Sequence, residues 1–443
     1  MNESHLDRAY RFERHGWIYL HIEGGPRERG FQHGWLLAPE IGAALAMTNE
    51  KTIFATGDNF NFFVEAAERL FAGKLDDEIR IELHAIAEGA TAAGVPVSFG
   101  EILAWNGYLE LLWNWWPLSK GQLPQGRKRR HHCSAFIATG SWTRDGGVVL
   151  AHNTWDDYTN ANAFRVVADL VPERGYRIVM QTAPGLIHSG TDFFVTGAGL
   201  IGAETSIAGF NGYDPSKLPE FYRARRAMQY GANLGEWMEI MKTGNNGGYA
   251  NSWLLGDTGT GEIARLEMGL RYVGETRTEN GFYWGCNLVA DPRIRNQECS
   301  GIDYCNVKDD AARRVRWESL IEEHRGRIDV SAAQLMIADH WDVYARRDGA
   351  SARTICGHFD EFPEEFPSWG FGPFEPFGAN DGKATDSRRA REMGFAGRIG
   401  HPCGQVFDAG KFLEAHPQYA WQAEWLRDKP EQPWTEFKSD QRA

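Results

Sequence analysis

His132-Cys133-Ser134-Ala135-Phe136-Ile137-Ala138-Thr139, answered after a turn by Val148-Val149-Leu150-Ala151-His152-Asn153-Thr154-Trp155, is the stretch that decides the fold. Ser134–Thr143 and Val148–Trp155 are two runs rich in β-formers, and Arg144-Asp145-Gly146-Gly147 between them is a hairpin signal. A turn centred on Asp145 pairs residues whose numbers sum to about 290. Cys133 then faces Trp155–Asp157 within a couple of residues, and the polar cluster from His152 to Asp157 returns to the cysteine.

Outward from this hairpin, the chain changes character twice. Before it, Gly16 to Ile22 alternates like a strand, Glu23 to Gly30 turns, and an amphipathic run follows through Gln32, His33, Leu36, Leu37 and Ile41. Helical periodicity then holds from Pro39 to Leu118, broken at Ala93-Gly94-Val95-Pro96. After the hairpin come strand-like runs at Phe164–Leu170, Arg177–Thr182, Phe193–Thr196 and Gly199–Ala208, then a helix over Pro219–Lys242. Ser252–Leu255 and Ile263–Glu267 form a second hairpin around Asp257-Thr258-Gly259-Thr260-Gly261, and Asp310–Arg325 and Ser331–His340 are helical again. The C-terminal stretch, rich in Gly, Pro and aromatics, reads as irregular structure wrapping a core. Helix, then strands, then helix predicts an α+β fold of sheet layers faced by helices, not alternating βαβ units.

Charge and composition exclude several functions. A net charge of −13 over 443 residues leaves no basic face for a phosphate backbone, so nucleic acid is not an expected partner. The one basic cluster, Arg127-Lys128-Arg129-Arg130, reads as an exposed linker just before Cys133. No Gly-rich nucleotide motif stands between a strand and a helix, and no cofactor is expected. No run is long and apolar enough to span a bilayer, and the charged N-terminus lacks a secretory pattern, so the expected location is cytoplasmic. The six cysteines, Cys133, Cys286, Cys299, Cys305, Cys356 and Cys403, include no CxxC pair; free thiols and no metal are expected. The 17 tryptophans are large apolar anchors for cores and pockets.

The chemistry converges on Cys133. A cysteine at the start of a strand, right after a loop, becomes a chain terminus if the His132–Cys133 bond is cut. Its new α-amine, with a reference pKa of about 7.7–8.0, can take the thiol proton at neutral pH. One residue then supplies nucleophile and base. A carboxylate from Asp156 or Asp157 could hold the α-ammonium, His152 or Asn153 could bond the substrate or the thiol, and Asn251 offers an amide for a developing oxyanion.

These residues resemble a known family. His132–Ile137, the return strand Gly147–Trp155, Gly190-Thr191-Asp192-Phe193-Phe194-Val195-Thr196 and Gly248-Tyr249-Ala250-Asn251-Ser252-Trp253 are similar to the phospholipase B-like proteins. The wider pattern resembles the acyl-coenzyme A:6-aminopenicillanic acid acyltransferase group, the C45 peptidases. It includes Gly24–Leu37, Asn251–Glu267, Cys286-Asn287, Arg313–Arg316 and Thr354-Ile355-Cys356-Gly357-His358. Both belong to the N-terminal-nucleophile (Ntn) hydrolases, so the resemblance implies an αββα four-layer sandwich with a mainly helical N-terminal segment. It implies self-cleavage into a retained chain 1–132 and a catalytic chain 133–443. Cys133 becomes nucleophile and new N-terminus, Asn251 the oxyanion amide, Asp156 the supporting carboxylate, and Arg313 or Arg316 the orienting arginine. His152 joins this catalytic set, and Asn153, Trp155, Asp157 and Asp192 are the substrate-binding candidates. The sequence departs from the acyltransferase pattern at Thr154, which intervenes before Trp155-Asp156, and at Gly357, where arginine is usual.

The expected function is a self-cleaving cysteine amidase or acyltransferase acting on a small acylated substrate through an acyl-enzyme. A phospholipase B-like esterase is the alternative, a non-catalytic binding protein on the same fold stands behind it, and a metal enzyme using His131, His132 and His152 ranks last. The oligomeric state stays open, a homo-oligomer included.

Overall fold

The computed structural model describes residues 6–121, 133–190, 193–309, 311–366 and 370–443. Strands β1 (Tyr10–Arg14) and β2 (Trp17–Gly24) precede a helical third; then come β3 (Ser134–Thr139), β4 (Val149–Asn153), β5 (Trp155–Asp157), β6 (Val166–Pro172), β7 (Ile178–Thr182), β8 (Phe193–Thr196) and β9 (Leu200–Ser206). They are followed by β10 (Asn251–Asp257), β11 (Ile263–Met268), β12 (Val273–Thr278), β13 (Gly281–Gly285), β14 (Trp341–Asp342) and β15 (Arg347–Asp348). The last are β16 (Phe377–Ala379), β17 (Asp381–Asp386), β18 (Phe395–Ile399) and β19 (Thr435–Phe437). A nine-stranded sheet runs β1-β2-β6-β7-β8-β9-β10-β11-β12, and a six-stranded sheet runs β13-β3-β4-β17-β18-β19. Pairing in both is antiparallel except β2 with β6, which brings the N-terminal strands beside the later sheet.

Strand alternation decides which layer each residue joins. Ala135, Ile137 and Leu150 face the nine-stranded sheet and share a core with Val179, Phe193 and Leu254. Their neighbours Phe136, Ala138 and Val149 point the other way, onto Trp317 and Ile321 of the helix Ala312–Glu323 and Met336 of the helix Val330–Met336. The outer face of the nine-stranded sheet packs against the helices of the N-terminal third and Glu220–Tyr230 and Leu234–Lys242, through Ile41, Phe63, Leu83, Leu103 and Trp237. The fold is mixed α+β, with large sheets covered by helices. Among the described residues no helix is long and apolar enough to cross a membrane.

Three expectations need correction. The hairpin does not turn on Asp145: Ser134 pairs Asn153 and Ala135 pairs His152, because Gly140–Trp142 winds into a 3-10 turn and lengthens the connection. The predicted helix over Pro219–Lys242 is two, the second capped by Asn233, whose side chain accepts from Glu236 N at 3.0 Å. The C-terminal stretch is not merely a wrapping, since β17 pairs directly with β4 and β18 and β19 extend the same sheet.

The helices Pro26–Leu36 and Asp77–Ala92 cross with backbones in contact. A methyl group at Gly30 would strike the Glu82 carbonyl, at Gly34 that of Ile86, and at Gly89 that of Phe31. The crossing buries Arg29, whose Nε donates to Glu82 at 2.7 Å, while Arg225 donates to the same carboxylate at 3.0 Å and to Ile187 O at 2.9 Å. Nearby, His33 Nε2 accepts from Gly185 N at 2.9 Å, so the ring is neutral in the fold.

Gly34→Ala should lower unfolding free energy by about 3 kcal/mol, measured by urea titration, because backbone carbonyls cannot step aside as a side chain does. Burial lowers the His33 pKa from 6.5 to about 4, so within that window the unfolded chain binds a proton the fold refuses, and stability falls as pH falls. His33→Gln keeps an acceptor without a titration. Its loss of stability across that window should be about 3 kcal/mol smaller than the wild type's.

Candidate active site

Cys133 sits immediately before β3, buried to 2% exposure, with a φ of 91°. A non-glycine residue is rarely held there, and such strain gathers at functional positions. The register of β3 and β4, continued by one residue, sets Cys133 opposite Thr154. Beyond that point β5 leaves β4 and pairs with β16, Asp156 lying opposite Gly378. This divergence opens a cavity of about 320 Å³, lined by Cys133, Thr154, Trp155, Asp156 and Asp157 from the hairpin. Lys51, Trp105, Tyr108 and Trp113 of the N-terminal third and Tyr249 complete much of its wall. Phe54 and Trp421 also line it and are stacked face to face, ring centroids 3.7 Å apart, though both are exposed.

Arg313 locks the start of the strand. One terminal nitrogen donates to Cys133 O at 2.6 Å and Ser134 Oγ at 2.9 Å; the other donates to Cys286 O at 3.1 Å and Asn287 Oδ1 at 2.8 Å. The guanidinium lies 4.0 Å from the centre of the Trp155 ring. Asn153 reinforces it: Oδ1 accepts from Ser134 N at 3.0 Å, and Nδ2 donates to Ile337 O and Ile355 O. Asn287 continues the chain of contacts by donating to Ser206 O at 2.8 Å. Ser206 is the strand partner of Asn251, whose buried side-chain nitrogen and oxygen find no hydrogen-bond partner among the described residues. A buried amide with both ends unsatisfied is costly, and Asn251, like His152, is not among the residues that line the cavity.

The other candidates divide. Asp156 accepts from Asp157 N at 2.7 Å and Asn160 Nδ2 at 2.8 Å, while Asp157 forms an ion pair with Lys51 at 2.9 Å. His152 points between the sheets, its Nε2 3.0 Å from Glu204 O, and burial lowers its pKa well below the usual value. It is not part of the cavity wall. Arg316, three residues along the helix from Arg313, turns away to Asp339 at 2.6 Å and Glu323 at 2.9 Å. His132 and Asp192 lie outside the described residues.

Sequence reading missed a charged cluster behind Thr154. Lys383, fully buried on β17, is 2.7 Å from Asp381 and donates to Thr154 Oγ1 at 2.6 Å. Asp381 accepts from Thr154 N at 3.1 Å and from Gln181 at 2.8 Å. It also missed Glu110, a buried cavity carboxyl whose pKa burial raises, which accepts from Tyr213 and Asn246. Neither belongs to a motif; the only signal was charge inside a Gly-rich run and inside a Trp-rich one.

Comparison with known proteins touches the same region. The sequence model of the family described as Phospholipase B matches residues 108–272, which include Cys133, the hairpin and Asn251. The chain resembles the phospholipase B-like proteins. A protein named phospholipase B from Crotalus adamanteus is 27% identical over 195 residues, 38% of this chain and 34% of its own length. Phospholipase-B 81 of Drysdalia coronoides is 29% identical over 157 residues, 32% of this chain and 28% of that one. A protein of Archaeoglobus fulgidus named only as uncharacterized is 28% identical over 360 residues, 73% of this chain and 58% of its own length. The phospholipase B resemblance thus spans part of each chain, and Arg313 and β17 lie beyond the matched segment.

Arg313→Lys keeps the charge but not the fork of donors. It should cost about 2 kcal/mol or more of stability in urea titration, since hydrogen bonds to a charged group are worth about 1.5–3 kcal/mol each. Wild-type stability in that variant would show that the clamp contributes little.

Proposed function

We propose that the chain is a phospholipase B-like acyl hydrolase whose nucleophile is Cys133, exposed as a chain terminus by self-cleavage of the His132–Cys133 bond. The observation that carries this is the position of Cys133: a strained, clamped strand start in the wall of a mostly apolar cavity that several aromatic rings line. The two sheets with helices on both outer faces are consistent with the αββα layering of N-terminal-nucleophile hydrolases, and this layering supports the reading.

In the precursor, the Cys133 sulfur attacks the His132 carbonyl carbon, the C–N bond breaks as the acyl group moves to sulfur, and water hydrolyses the thioester. The products are a carboxylate at His132 and a free amine at Cys133. In the mature chain that amine takes the thiol proton, and the thiolate attacks the substrate carbonyl. The Asn251 amide is the proposed donor to the oxyanion, and Asp156 the carboxylate that orients the ammonium. The alcohol leaves with the proton, and water releases the acyl group from sulfur. Residues 1–132 stay bound, because β2 is part of the nine-stranded sheet and N-terminal helices form the cavity wall.

The similarity to proteins named phospholipase B favours an ester over the amide that the sequence reading ranked first. The amide stays as the second reading, since a cavity of about 320 Å³ suits one modest acyl group and does not itself select the leaving group.

Intact-mass analysis should give two fragments that meet at Cys133, and Cys133→Ala should remain one chain. Matured protein is then assayed on lysophospholipid esters beside N-acyl amines of the same acyl length, with ester turnover expected to lead. Asn251→Ala should lower kcat about 10²–10³-fold in protein that still matures. A folded wild type that never splits would refute the self-cleavage.

A further inference from the structure

Far along the chain from Cys133, four side chains converge that no part of the proposed chemistry uses. His340, Cys356, His358 and Cys403 bring one ligand atom each to a common point, all four within 4.8 Å of one another. The Nε2 atoms of His340 and His358 are 3.2 Å apart, and His358 Nε2 is 3.3 Å from Cys356 Sγ and 3.6 Å from Cys403 Sγ. A ring nitrogen has one lone pair or one proton, so it cannot satisfy three such neighbours by hydrogen bonding. Four atoms arranged around a shared centre can be satisfied together by a cation.

The spacing selects the ion. With Zn–N of about 2.0–2.1 Å and Zn–S of about 2.3 Å, a tetrahedron has edges of about 3.4 Å between two nitrogens and about 3.5 Å between nitrogen and sulfur. The three separations from His358 Nε2, at 3.2, 3.3 and 3.6 Å, match those edges within about 0.2 Å, and the other pairs lie within 4.8 Å. Two thiolates and two imidazoles are also the donors of a structural zinc site. We propose that His340, Cys356, His358 and Cys403 form a tetrahedral zinc site, closed to water and structural in role. Binding displaces the two thiol protons, leaving a neutral centre of two thiolates and Zn²⁺.

The surroundings fit a supported site. Asp339, next to His340, is held by Arg316, and its carbonyl accepts from Cys356 N at 3.1 Å. The ring of His401 lies on that of His358, centroids 4.4 Å apart. Asp360 stands 4.0 Å from His358 Nδ1, close enough to orient the ring through a small adjustment. Tyr158 OH donates to that carboxylate at 2.6 Å.

The loop carrying these ligands also backs the candidate active site. Ile355 O accepts from Asn153 Nδ2 and from Trp155 Nε1 at 3.2 Å, and Gly357 lies so flat on the Trp155 indole that any side chain would collide with it. Zinc here would therefore fix the loop on which Trp155 rests, and Trp155 in turn lies against Arg313.

The test is metal analysis of the full chain, purified without chelator and incubated with zinc, beside thiol counting. The expected result is about one zinc per chain, lost in Cys356→Ser and Cys403→Ser and retained in Cys305→Ser, whose thiol is exposed and not part of the cluster. Cys133→Ala should also keep its zinc, so the site stands or falls separately from the nucleophile. Because Cys356→Ser could fail to fold, Co²⁺-loaded wild type gives a second readout: thiolate-to-cobalt charge transfer and intense tetrahedral visible bands. Chelation should lower the wild-type melting temperature by several degrees. A protein that takes up no zinc, one that keeps it in both cysteine variants, or one in which Cys356 and Cys403 form a disulfide overturns the proposal.

Discussion

A guanidinium buried to 3% exposure cannot return to water for its partners, so wherever Arg313 sits, acceptors must be fixed around it. Those acceptors come from three separate pieces of chain: Cys133 and Ser134 at the start of β3, and Cys286 and Asn287 just after β13. The third is the indole of Trp155 at the point where β5 parts from β4. One side chain thereby ties the helix Ala312–Glu323 to the start of β3, to the end of its neighbour β13 and to β5. The position of the cysteine follows from this clamp more than from the strand pairing, which begins only at Ser134. Arg316 makes the contrast clear, because the same helix carries it but its partners, Asp339 and Glu323, anchor a different loop.

The cavity is a joint product of segments that a cut before Cys133 would separate. Its floor comes from the hairpin, but Lys51, Trp105, Tyr108 and Trp113 belong to the first third of the chain. That third is bound by more than surface contact. Arg29 reaches Glu82 within it while Arg225, from beyond the hairpin, reaches the same carboxylate. Removing one member of such a buried set leaves a charge uncompensated, costing about 3–5 kcal/mol, so separation of the two segments would be strongly opposed.

The hairpin, the helical first third and most strands of the nine-stranded sheet were legible, because alternation and turn chemistry are local signals. Phe193–Thr196 even keeps the same bounds in the structure. What escaped was set by distant contact. Asp381–Asp386 has a glycine, a lysine and two aspartates in six residues and reads as a loop; it is a strand because Lys383 and Asp381 satisfy each other and Thr154 inside the sheet. The departure at Gly357 has a similar cause, since the Trp155 ring occupies the space a side chain would need. At the site, Cys133, Thr154 and Asp156 were recognisable as a group through the hairpin, but the direction of His152 depended on strand parity, which the misplaced turn obscured. The histidine and cysteine cluster lay beyond reach for a simpler reason: His340 and Cys403 stand 18 and 45 residues from His358, with no short motif to join them.

Under the proposed self-cleavage, strain at Cys133 acquires meaning from which bonds would survive it. The φ angle is defined by the carbonyl carbon of the preceding residue, so a φ of 91° exists only while the His132–Cys133 bond does. Holding such a conformation costs about 1–3 kcal/mol, and hydrolysis removes that cost from the product without altering the rest of the strand. Two contacts that fix the start of β3 lie on the C-terminal side of that bond: the Cys133 carbonyl on Arg313, and Ser134 N on Asn153. Those contacts hold the backbone at the start of β3 and do not depend on the His132–Cys133 bond. If that bond is the one cut, the same clamp that strains the precursor positions the nucleophile of the product.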